Sequence, residues 1–344
     1  MAFRLDALEH PIVQAPLSGG PSTPALAAAV CEAGGLGFLA TGYKTVDAAA
    51  ADIAELRSLT DRPFGVNLFA PPAPVADPEA VARYAAALGE GAGEPRHHDD
   101  AWEAKLDLLA RERVTIASFT FGCPTDAVIG ALHDAGCTVW VTVTTAAEAR
   151  HAASVGADAL VVQGVEAGGH RGSFDDDAPG EIGLLALLQL VRATVDLPLV
   201  ATGGLATGAA VAAVLAAGAA AAGLGSAFML APEAATSAAH AGALRGSRPT
   251  ALTRAFTGRL ARGIENSFMA EHEATAPRAY PDVHYVTAPL RAAARERGDA
   301  EAINLWAGQA YELAPRDEPA GDMVRRLSAE ARAALRDAAG RLGA

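Results

Sequence analysis

Short, nearly continuous apolar runs alternate with alanine-rich stretches of helical spacing through the first two thirds of the chain. The runs are Pro11–Pro16, Gly35–Thr41, Phe64–Phe69, Val114–Phe121, Cys137–Val143, Ala159–Gly164, Leu197–Gly203 and Ala221–Phe228. A strand with one face in water alternates apolar and polar residues, whereas a parallel strand covered on both faces stays apolar throughout. These runs are of the second kind. Between them the spacing predicts helices over Thr23–Ala33, Val46–Leu59, Thr125–Asp134, Ala146–Val155, Ile182–Ala193, Gly208–Ala216 and Pro232–His240. Several of these stop at a glycine, namely Gly34, Gly136, Gly156 and Gly218, as helix ends tend to. Eight strand–helix units predict an α/β fold, a (β/α)8 TIM barrel. A doubly wound parallel sheet is the alternative.

Two stretches exceed a minimal barrel. Residues 71–110 form a proline-rich and then helical excursion after the third strand. Residues 246–344 form a tail with helices expected at Arg291–Arg297, Glu301–Leu313 and near Met323–Leu342. The expected division is a barrel of residues 1–70 and 111–245. Residues 71–110 and 246–344 would make a smaller, mostly helical cap over the C-terminal mouth, on the substrate side.

Composition narrows the picture. Hydrophobic residues are 51% and charged residues 19% of 344, enough to bury a large core. The 27 basic and 40 acidic residues leave a net charge of −13, which argues against nucleic acid and anionic membranes as partners. Lysine occurs only at Lys44 and Lys105. The stretch between Asp196 and Glu233 is free of charge, but its glycines split it into strand, turn, helix and strand, so it reads as buried core. Cys31, Cys123 and Cys137 form no disulfide or zinc pattern and read as inert thiols. The N-terminus lacks an apolar signal segment, and the expected location is the cytoplasm.

Barrel active sites lie at the C-terminal strand ends. After the seventh and eighth strands the chain reads VATGGLATG (Val200–Gly208) and GLGSAF (Gly223–Phe228). Glycines there let backbone N–H groups approach an anion, helped by the next helix N-terminus, so this pair of loops is a candidate phosphate site. The sixth strand ends in VVQGVEAGGHRG (Val161–Gly172). Gln163 can hydrogen-bond a planar heterocycle, Gly168 and Gly169 allow close backbone approach, and His170 follows on a loop expected to be flexible. Asn67, within an apolar run, needs a partner if buried, and a bound cofactor is a candidate. Ser118–Gly122 and the Ser18–Gly20 loop also face the expected mouth. His97, His98, Asp99 and Asp100, and the acidic run Asp175–Asp177, read as solvated and not as metal ligands; no metal is expected.

Seven phrases in this order resemble the nitronate monooxygenase family, formerly the 2-nitropropane dioxygenases. They are PIVQAPLSGGPSTP, FGVNLF, SFTFGCP, VVQGVEAGGHRG, LPLVATGGLATG, GLGSAFMLAPEA and TGRLARGIENSF (Thr257–Phe268), spanning roughly residues 10 to 270. The resemblance implies an FMN enzyme without a metal. Asn67, Gln163, Gly168, Gly203, Gly204 and the loop Gly223, Leu224, Gly225 and Ser226 would hold FMN, together with Ala15, Pro16 and Leu17 after the first strand. His170 would be the catalytic histidine. The chain departs from the family at Gly223, where a glutamine is common, and at Leu260, where proline is common. The implied activity is oxidation of alkyl nitronates, and of nitroalkanes if His170 deprotonates them. O2 would be the oxidant, carbonyl compound and nitrite the products, and a one-electron-reduced flavin the intermediate. An NAD(P)H-dependent FMN reductase of enoyl thioesters or quinones is the alternative on the same scaffold, and a flavin-binding barrel without turnover a third. The expected partners are a small nitronate and O2, with a homodimer allowed.

Overall fold

In the computed structural model, which describes residues 3–343, the eight apolar runs form one parallel sheet. Its strands are β1 (Ile12–Gln14), β2 (Phe38–Ala40), β3 (Gly65–Phe69), β4 (Ile116–Thr120), β5 (Thr138–Val143), β6 (Ala159–Gln163), β8 (Leu199–Thr202) and β9 (Ala221–Leu224). The order is β1-β9-β8-β6-β5-β4-β3-β2, and a parallel bridge between Val13 and Leu36 joins the two ends. The Gln14 side chain reinforces that seam, its Oε1 accepting from Phe38 N at 3.0 Å. The result is the expected TIM barrel. A second, antiparallel sheet contains β7 (Gly169–His170), β10 (Thr250–Thr253) and β11 (Ala261–Ile264), in the order β10-β11-β7.

Local chemistry explains the regular units. Thr23, Thr45, Thr125, Thr145 and Thr207 each cap the helix they precede by accepting a backbone N–H through the side chain. The expected helix stops at Gly34, Gly136, Gly156 and Gly218 all have positive φ. Inside the barrel, Val13, Phe38, Ile116, Trp140 and Val200 pack into a buried plug, closed from below by Phe3 and Leu5. Among the described residues, no helix is long and apolar enough to cross a membrane.

The boundaries of the cap differ from expectation at two helices. Trp102–Arg111 packs on β3 and on the helices Val46–Leu59 and Asp126–Asp134, so it is an outer helix of the barrel. The last helix, Ala320–Arg341, packs on Gly208–Ala216 and Pro24–Glu32. Its Met323, Val324 and Leu327 are fully buried with the barrel core, so it completes the outer ring and does not cover the mouth.

Three local expectations also change. The chain is irregular from Pro232 and becomes helical only at Ala238–Leu244, capped by Ser237. The helix expected at Arg291–Arg297 begins at Asp282 and runs to Glu296 through Pro289. Gly93 N donates to Val286 O at 2.7 Å, giving the proline-interrupted turn an outside donor. Over 301–313 the chain is extended between two short 3-10 turns. Ile303, Leu305 and Ala307 are buried in alternation, a period of two, and Leu305 O accepts from Ile264 N at 2.8 Å.

Candidate active site

A cavity of about 610 Å³ opens at the C-terminal ends of the barrel strands, within the usual range for small-molecule and cofactor sites. Val13, Phe38, Trp140, Val161 and Val200 form its apolar floor. Ala15, Pro16, Leu17, Asn67, Gln163, Gly168, Gly203, Gly204, Gly223, Gly225, Ser226 and His170 all line it. Leu224 is the exception among the expected site residues. Its side chain is buried outside the strands with Phe228, so only its backbone can serve the site.

The loop carrying His170 is tied at both ends. His170 lies in β7, paired through Ala261 with β11, and Arg171 N donates to Leu260 O at 2.8 Å. The flexible loop expected there is therefore a strand. Gln163 holds the same loop from the barrel side. Its Nε2 donates to His170 O at 3.0 Å, and its Oε1 accepts from Gly172 N at 2.8 Å and Arg171 Nη1 at 2.9 Å. The buried Arg171 also donates to the carbonyl oxygens of Gln163, Gly164 and Gly180. One Nε2 hydrogen of Gln163 remains for a ligand.

His170 Nε2 lies 2.9 Å from Thr257 Oγ1. Phe121, Tyr280 and Trp306 surround the imidazole, with ring centroids 5.5, 5.9 and 5.5 Å away. What remains exposed of the ring faces the cavity. Burial, reinforced by Arg259 and Arg291, lowers its pKa to about 3, so the ring is neutral at pH 7. Arg259 is held by the carbonyl of Arg171 and stacks over Phe121 at 4.2 Å.

Glycine geometry shapes the opposite wall. Gly203 and Gly204 have φ of +120° and +68°. Among the described residues no protein acceptor takes the N–H groups of Gly204 or Gly225. At Gly168 a Cβ would lie 2.4 Å from Gly308 N, so only glycine permits this approach. Ser226 Oγ accepts from Gly308 N at 2.9 Å and keeps its own proton free to donate. Asn67 Nδ2 is shared among Ser118 and Thr120, and Oδ1 has no donor among the described residues. Among the described residues the buried Ser18 hydroxyl has no hydrogen-bond partner. At Gly223, where the family often has glutamine, the Thr202 hydroxyl donates to the glycine carbonyl at 2.9 Å.

The cap supplies a wall that the sequence did not single out. The helix Asp282–Glu296 brings His284, Ala288, Arg291 and Arg295 to the cavity. His284 stacks on Tyr43, with centroids 4.0 Å apart and planes 3° from parallel. Arg291 is buried and donates to Thr287 Oγ1, His284 O and Asn304 Oδ1. Among the described residues no carboxylate lies within ion-pairing distance of Arg291 or Arg295, although burial lowers the Arg291 pKa only to about 10 and it stays charged. The acidic residues read as solvated are partly structural. Asp100 pairs with the buried Lys105 at 2.7 Å, and Asp176 pairs with Arg254 at 2.8 Å.

The nitronate monooxygenase family model matches residues 3–330. The chain belongs to the nitronate monooxygenase family. The nitronate monooxygenase of Paraburkholderia phytofirmans is 40% identical over 340 residues, spanning 94% of this chain and 92% of its own. That of Pseudomonas aeruginosa is 41% identical over 348 residues, spanning 96% and 98%. Among solved structures, the nitroalkane oxidase from Streptomyces ansochromogenes superposes with a TM-score of 0.93 at 50% identity, covering 97% of this chain and 99% of its own. FabK from Thermotoga maritima superposes with a TM-score of 0.78 at 26% identity, covering 98% and 97%. As a member of the nitronate monooxygenase family the chain is an oxidoreductase, and membership implies a flavin cofactor. The family resemblance of TGRLARGIENSF also gains a physical reason: Thr257 bonds His170, Arg259 holds Arg171, and Ala261 pairs with His170.

Proposed function

We propose that the chain oxidises small alkyl nitronates with O2, giving a carbonyl compound and nitrite, with FMN as its flavin. The observation that carries the substrate class is Arg291, a buried guanidinium lining the cavity with no carboxylate among the described residues to balance it. A buried cation of this kind is stabilised by an anion, and a nitronate is one. His170, neutral at pH 7, supplies no competing positive charge.

The residues fit FMN. The unpaired N–H groups of Gly204 and Gly225, the free Ser226 proton and the N-terminus of Gly208–Ala216 suit a phosphate. Asn67 Oδ1, the spare Gln163 hydrogen and the orphaned Ser18 hydroxyl suit the polar edge and side chain of such a group. FMN would supply the electron chemistry. The protein's part is to bind and orient. Arg291 meets the anionic end of the substrate, the aromatic cage of Phe121, Tyr280 and Trp306 excludes water, and His170 presents a neutral imidazole that can accept a proton. On the substrate side the cap contributes the helix Asp282–Glu296, with His284, Ala288, Arg291 and Arg295 at the cavity.

The test is oxygen uptake by the FMN-loaded protein given propionate 3-nitronate without NAD(P)H. Uptake with stoichiometric nitrite is expected. No uptake, with anaerobic bleaching of the flavin by NADH, would replace this reading with the reductase.

A further inference from the structure

We infer that Thr257 is a positioning residue that fixes the tautomer of His170, so that the proton-accepting atom of the site is Nδ1. The inference rests on the proposed function only for its kinetic arm, since the proton arrangement follows from geometry. Thr257 Oγ1 has one proton and three polar neighbours: His170 Nε2 at 2.9 Å, Arg259 O at 3.2 Å and Arg259 N at 3.4 Å. Arg259 N can only donate to it. Arg259 O can only accept, and among the described residues Thr257 is its one hydrogen-bond donor. A buried carbonyl keeps a donor where one is in reach.

The Thr257 proton therefore goes to Arg259 O, and the oxygen is left with lone pairs for Nε2. His170 must then carry its proton on Nε2 and donate it to Thr257. In a neutral imidazole this leaves Nδ1 bare. Among the described residues Nδ1 has no hydrogen-bond partner, and its lone pair is open to the cavity.

The packed rings of Phe121, Tyr280 and Trp306 hold the plane of the imidazole against Thr257, and the backbone beneath it is fixed as well. His170 O is fixed by Gln163, and the neighbouring Arg171 N by Leu260 O. For a neutral nitroalkane the step is a simple proton transfer. The α-carbon's proton moves to Nδ1, the C–H electron pair becomes the C=N π bond of the nitronate, and His170 becomes an imidazolium. Its Nε2 proton stays on the bond to Thr257. A preformed nitronate skips this step, so the two substrate types separate the roles.

The experiment is two-bond 15N–1H correlation of the histidine rings in the FMN-loaded protein, with His170 assigned through His170→Asn. The expected spectrum shows a protonated Nε2 and a bare Nδ1, unchanged in Thr257→Ser and lost or mixed in Thr257→Ala. A protonated Nδ1 in the wild type would overturn the inference, whatever the activity. In kinetics, the ratio of nitroalkane to nitronate kcat/KM should fall about tenfold or more in Thr257→Ala and recover in Thr257→Ser. An equal fall for both substrates would reduce Thr257 to a structural contact. Loss of nitronate oxidation in the wild type would sink the proposed function and leave the nitrogen spectrum decisive for the tautomer.

Discussion

Replacing Arg291 with methionine separates binding from folding. The guanidinium is buried, lines the cavity, and donates its hydrogen bonds to neutral groups of Thr287, His284 and Asn304. Two unit charges about 4 Å apart interact by about 4 kcal/mol at an effective dielectric of 20. The substrate loses its own hydration on entry, so the net value is nearer the roughly 1.5–3 kcal/mol of a hydrogen bond to a charged group. That range corresponds to a loss in kcat/KM for an anionic nitronate of roughly 10- to 150-fold.

Stability should move the other way or not at all. Methionine keeps most of the buried volume, and Asn304 Oδ1 keeps its bond from Arg295 at 2.6 Å. Removing an uncompensated buried charge is neutral or stabilising in such cases, within about 1 kcal/mol here. The assay is steady-state oxygen uptake against nitronate concentration, beside urea denaturation of the same preparation. Unchanged kcat/KM would refute the assignment of the anion to Arg291. A fall in activity matched by several kcal/mol of lost stability would show a structural role instead.

Three other outcomes are expected. Burial lowers the pKa values of His170, His240 and His284 to about 3, 4 and 2, against an ordinary value near 6.5. Above pH 6.5 these rings are neutral in both states; below it the unfolded chain takes up protons that the folded one refuses. Stability should therefore fall on acidification, by roughly 1.4 kcal/mol per pH unit for each ring. A urea midpoint that is flat from pH 7 to pH 5 would contradict this, and His240→Gln should lose less than the wild type over that interval. Gly168→Ala places a Cβ 2.4 Å from Gly308 N and 2.5 Å from Ala307 C, so the wall must shift. A cost of about 1–3 kcal/mol and weaker retention of flavin are expected, read by thermal melting and by the absorbance of the purified protein. Arg171→Met leaves the carbonyls of Gln163, Gly164 and Gly180 without this donor, and a loss of roughly 3–5 kcal/mol in urea denaturation is expected. A loss below about 1 kcal/mol would mean that water replaces the guanidinium.

The barrel was legible because its signals are local. Both faces of a parallel strand are covered, so Val139–Val141 and Leu160–Val162 read as unbroken apolar runs, while capping threonines and stopping glycines mark the helices between them. The terminal helix was visible as a helix but not as part of the barrel. An amphipathic pattern shows that one face is buried and is silent on what buries it. The segment containing Ile303, Leu305 and Ala307 mixes spacings, and its period of two is decided only by the backbone of β11 beside it.

The same division runs through the site. The floor and the glycine wall come from strand ends, and a strand end announces itself in sequence. The reactive side does not, because each of its contacts joins distant segments. Thr257 and His170 are 87 residues apart, and Tyr43 meets His284 across most of the chain. The helix that presents Arg291 contains Pro289, which interrupts the helical pattern before it. His170 itself is held by pairing between a barrel loop and β11, which belongs to the excursion after the last barrel strand. Barrel and excursion therefore cannot be separated at the site. The tautomer of His170 and its position depend on the excursion, while the loop that carries it depends on Gln163 and Arg171 from the barrel side. A change in the excursion that leaves the barrel folded should still alter the proton chemistry of the cavity.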